Sequence, residues 1–72
     1  MISLYNATMA HFKAVELESV AKLEILFNKS VGISEHTDFI AEIKETCQKL
    51  AEARECMQVL DDVVKKPNDV TG

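Results

Sequence analysis

From Phe39 to Leu60 the chain reads FIAEIKETCQKLAEARECMQVL, with no glycine or proline to interrupt it. Ile43, Leu50, Met57 and Val64 recur at seven-residue spacing, and Phe39, Thr46, Ala53 and Leu60 form the companion row. Alternating steps of three and four residues put both rows on one side of a helix, as in the seam of a coiled coil. Lys44, Gln48, Glu52, Glu55 and Asp62 fall on the opposite side, which suits water. Such a helix has one apolar side and must lay it against something.

With 72 residues in the chain, the nearest cover is its own first half. From about residue 6 to 29 the sequence is rich in Ala, Leu, Glu and Lys, which favour helix. Gly32 reads as a helix stop, because glycine accepts the left-handed conformation that often ends a helix. Residues 30–37 read as a loop, with Ser34 or Thr37 placed to cap the second helix and Glu35 or Asp38 in its first turn. That helix is expected over about 38–66, ending in Lys65 and Lys66 and stopped by Pro67, with 67–72 as a tail. The expectation is one all-α domain over 1–72: an antiparallel, coiled-coil-like two-helix hairpin, with pairing into a four-helix bundle as its extension.

The first helix differs from the second. Tyr5, Met9, Phe12, Val20, Leu23 and Phe27 share one stripe, interrupted by Glu16. The expected hairpin core is thus Met9, Phe12, Leu23 and Phe27 against Phe39, Ile43, Leu50, Met57, Leu60 and Val64. Ala10, Ala14, Leu17, Ala21 and Ile25 form a second stripe nearer the opposite side. A helix apolar on two sides has two neighbours, so these five residues are the expected partner-binding face. Alanine alone would tolerate exposure as a good helix former; Leu17 and Ile25 are the residues that ask for cover. A core this small rarely supplies more than about 3–5 kcal/mol, and small chains often add to it by association.

Several function classes find little support. The net charge of −4, with scattered Lys and Arg, does not suit nucleic acid. No apolar run approaches the ~20 residues of a membrane span. MISLYNATMAHFK lacks the basic start of a signal peptide, so a cytoplasmic chain is expected and Asn6-Ala7-Thr8 and Asn28-Lys29-Ser30 are read as chance glycosylation matches. His11, His36, Cys47 and Cys56 show no metal-ligand spacing. The two cysteines, ~13 Å apart along one helix, cannot pair; Cys47 is expected in the core and Cys56 off the seam. Glu16 is expected at the stripe's edge or paired across the hairpin with Lys49 or Arg54, the other reading being a polar group that sets register at an interface. A two-helix hairpin offers no water-excluding cavity, so no catalytic residue and no cofactor is expected.

The turn SVGISEHT followed by DFIAEIKETCQKLAEARECMQVLDDVV, with Phe39 early, Leu50-Ala51 in the middle and an aliphatic cluster near the end, resembles the small YscE/PscE-type proteins of bacterial type III secretion systems. That resemblance implies an acidic helical hairpin acting as a cytoplasmic co-chaperone in a virulence apparatus. It would hold the needle subunit together with a second, helical-repeat co-chaperone and keep amphipathic needle helices from assembling early. Needle subunits are hairpins too, but typically carry a proline in the turn, which VGISEHT lacks. Two further roles fit the residues: a hairpin that self-associates when alone, and a small phage- or plasmid-type regulator. The regulator would use Glu42, Glu45, Glu52, Glu55, Asp61 and Asp62 against a basic groove.

Overall fold

The computed structural model describes residues 3–32 and 37–65. Helix α1 runs over Leu4–Ser30 and helix α2 over Thr37–Lys65, packed against each other as an antiparallel hairpin. The fold is all-α among the described residues, as the heptad pattern requires.

α1 starts earlier than composition suggests. Ser3 is its N-cap: the Ser3 hydroxyl accepts a hydrogen bond from the Asn6 amide at 3.0 Å, and its carbonyl accepts from the Ala7 amide at 3.0 Å. This satisfies amides that an uncapped first turn would leave open. At the other end the chain does not take the left-handed cap directly. Val31 is extended (φ −64°, ψ 127°) and Gly32 has φ 81°. A positive φ of this size is one that glycine takes freely and other residues rarely adopt. Gly32, two residues past Ser30, is where the backbone takes the positive φ. Ser34, Glu35, Pro67 and the tail lie outside the described residues.

The seam of α2 lies where its heptads place it. Thr46, Leu50 and Ala53 are buried, and Phe39, Ile43, Met57 and Leu60 are half-buried. Thr46 places its hydroxyl back on the Glu42 carbonyl at 2.8 Å, so its burial leaves no unmet donor. Val64 departs from the expectation, at 48% exposed. Tyr5 lies across from Asp61, and α1 begins at Leu4, so almost no turn of α1 extends over Val64.

α1 corrects the sequence reading more. Met9, Phe12, Val20 and Leu23 are half-buried, but the buried residues are Ser19 and Leu26, and Phe27 is 56% exposed. The contact rows run through Tyr5, Phe12, Ser19 and Leu26 and through Met9, Glu16, Leu23 and Ser30. A strict seven-residue repeat drifts about 20° per heptad on a straight helix. By the last turn the seam has rotated roughly 60° from the Tyr5 position, leaving Phe27 about 100° from Leu26 and off the contact.

The core is correspondingly thin. Three of its buried members, Ser19, Thr46 and Ala53, are small, and among the described residues no large side chain is fully buried. The shortest dimension of the 56 × 31 × 13 Å molecule is about one helix diameter. Its radius of gyration is 16.8 Å, where a compact chain of this length has about 11 Å. It exposes 5740 Å², against roughly 4450 Å² for a compact protein of 8.0 kDa. The hairpin is a single layer of helices, and each helix has one neighbour.

Candidate interaction face

Two polar pairs fix the register of the hairpin. Near its open end the Tyr5 hydroxyl donates to Asp61 Oδ1, and Lys65 Nζ stands 3.5 Å from the same carboxylate. At mid-length Arg54 Nε donates to Glu16 Oε2 at 2.9 Å, while Lys13 Nζ holds Glu16 Oε1 at 2.7 Å. Glu16 occupies a seam position with 14% of its side chain exposed, so a carboxylate there needs partners. It has one from its own helix and one from across the hairpin, with Arg54 rather than Lys49; Lys49 instead approaches Glu45 at 3.9 Å.

These contacts set ionisation. Hydrogen bonds from Lys13 first, then Arg54, hold the Glu16 carboxyl below its ordinary range. The Tyr5 hydrogen bond, with Lys65 adding to it, does the same for Asp61. Conversely, donation to Asp61 raises the Tyr5 phenol above its usual value, with partial burial adding to the effect.

The second stripe of α1 lies on the far side from this machinery. Ala10, Ala14, Leu17, Ala21 and Ile25 are all exposed, with Leu17 at 60% and Ile25 at 54%. At ~100° per residue their mean direction is about 180° from the seam, so α2 cannot reach them. The stripe is ~22 Å long at 1.5 Å per residue. Lys13 and Glu24 border it on one flank; His11, Glu18 and Lys22 border it on the other. His11 meets Phe12 edge-on, with ring centroids 5.1 Å apart.

Composition-led reading missed a second apolar region. Phe27, Val31 and Ile40 are exposed near the turn. Helical geometry puts Phe27 and Ile40 on the same side of the hairpin as the Glu16–Arg54 pair. The signal was present in Ile40, an apolar residue off the heptad rows. Leu4, Val59 and Val63 are likewise exposed towards the open end.

Of the two cysteines, Cys47 differs from the expectation of a core residue, whereas Cys56 lies off the seam as expected. Cys47 is exposed and Cys56 half-buried, both as free thiols. The axis of the seam passes through Thr46, Leu50 and Ala53, and Cys47 sits about 90° round from it, outside the core. Among the described residues no three His, Cys, Asp or Glu side chains converge on a metal-sized site. No described helix is long and apolar enough to cross a membrane. No family model, curated protein or solved structure matches this chain.

Proposed function

We propose that this chain is a non-enzymatic protein-interaction module whose docking face is the outer side of α1. One observation carries the reading: Leu17 and Ile25 stand exposed on a helix whose opposite side is already packed on α2. Burying an exposed aliphatic side chain contributes about 1.5–3 kcal/mol, a large addition to so thin a core. A partner helix laid along Ala10, Ala14 and Ala21 could approach closely, because alanine leaves room for its backbone, and would cover Leu17 and Ile25 at the edges.

The resemblance to YscE/PscE-type proteins supplies the kind of partner. In that role the hairpin is a bacterial, cytoplasmic co-chaperone that stabilises a type III secretion needle subunit together with a helical-repeat chaperone. The single-layer shape agrees with it: a hairpin that hides little of itself is well suited to completing another helical protein, as a helix fills a groove.

The test is co-expression with a needle subunit and a helical-repeat chaperone from a secretion locus. Leu17→Asp and Ile25→Asp are expected to abolish co-purification while circular dichroism stays that of the parent. Co-purification undiminished by both substitutions would remove the outer side of α1 from the docking face.

A further inference from the structure

We infer that, when no other partner is present, the outer side of α1 is covered by the same side of a second copy, antiparallel and related by a two-fold axis near residue 19. This rests on the reading of that side as an interaction face and names an occupant for it. The reason is that the face complements itself in size and charge. When two antiparallel helices are paired so that residue numbers across the interface sum to about 38, Leu17 meets Ala21 of the second copy and Ala14 meets its Ile25. Each exposed large side chain then falls against a small one, and the two-fold repeats both contacts.

Charge follows the same register. In antiparallel packing like flanks face each other, so Lys13 stands beside Glu24 of the second copy, and Glu24 beside its Lys13. Glu24 makes no ion pair within the hairpin among the described residues, and Lys13, 62% exposed, retains donors beyond the one it gives Glu16. The other flank sets Glu18 between the second copy's Glu18 and Lys22. A parallel pairing would instead layer Leu17 on Leu17 and set the Lys13 flank against the His11 and Glu18 flank, losing the match of large side chains to small ones. In the antiparallel pair two single-layer hairpins become one assembly with the α1 helices at its centre. A foreign helix that uses this face must displace the second copy.

The experiment is sedimentation equilibrium of the full chain from micromolar to millimolar concentration. The parent is expected to dimerise. Ala21→Leu sets leucine against Leu17 and should weaken the dimer at least tenfold with helicity unchanged. Adding Leu17→Ala exchanges the large and small positions and should restore it. Glu24→Lys, which turns two attractions into repulsions, should raise the dissociation constant about tenfold. A parent that stays monomeric throughout, or a dimer indifferent to Ala21→Leu and Glu24→Lys, would overturn the inference. Either result would leave the co-purification test of the foreign partner standing, because that test reads a different complex.

Discussion

The two helices differ in how many sides they ask to have covered. α2 puts Thr46, Leu50 and Ala53 on the side that α1 covers and Lys44, Gln48, Glu52 and Glu55 on the other, where Val59 and Val63 also stand exposed near the open end. α1 gives its Ser19 and Leu26 side to α2 and still presents Leu17 and Ile25 to solvent on the reverse. The same residue type therefore does different work in different places. Ala53, 1% exposed, is a spacer that lets the two helices of the hairpin close up, whereas exposed Ala21 is a spacer with nothing yet against it. Stability should track the inner seam, and association the outer face.

The sharpest way to break that division is a charge in the seam. Leu50→Asp buries an unpaired carboxylate at the centre of the contact and should cost on the order of 4 kcal/mol, as much as the whole core supplies. Loss of most helical circular dichroism at 25 °C is the expected result. Next in size comes one substitution made on both faces. Ala53→Leu should cost about 1–3 kcal/mol by overpacking. Ala21→Leu should change the stability of the isolated hairpin by no more than about 0.5 kcal/mol in denaturant titration. Equal costs at the two positions would erase the distinction between the faces.

A smaller effect is expected from pH. Glu16 and Asp61 have folded-state values below their ordinary ones. The stability they contribute is therefore present above the usual carboxylate range near pH 4 and is lost as pH falls through their lowered values. Tyr5 has the opposite sign: its raised value means a contribution present below about pH 10 and lost as the phenol ionises above it. Melting temperature should fall at both extremes. Tyr5→Phe should remove the alkaline loss and part of the acid loss, leaving the share of Glu16 and what Lys65 contributes at Asp61.

Much of this was legible in the sequence, and the misses share a cause. The α2 seam could be read because Ile43, Leu50 and Met57 mark their row plainly. The α1 seam could not, because Ser19 and Glu16 hold contact positions with polar side chains and because the rows drift as the helices coil. A straight projection gathers Phe27 into the stripe and overlooks Leu26. Glu16 was legible as an anomaly, a carboxylate on an apolar stripe, but choosing Arg54 over Lys49 needs the register that only the packed hairpin defines. Val64 belongs to its row by number and loses its cover by position, since α1 starts too late to lie over it. The exposed patch of Phe27 and Ile40 comes from both helices, so neither helix's periodicity reveals it.

The central claim, that the outer side of α1 acquires a cover, is open to direct observation by NMR. The methyl groups of Leu17 and Ile25 would be followed with a soluble paramagnetic agent, with Leu26 and Leu50 as buried references. In dilute solution Leu17 and Ile25 should relax strongly and the references weakly; at high concentration or in complex the outer methyls should approach the references. Leu17 and Ile25 remaining as accessible at the highest concentration and in every complex as they are in dilute solution would contradict it.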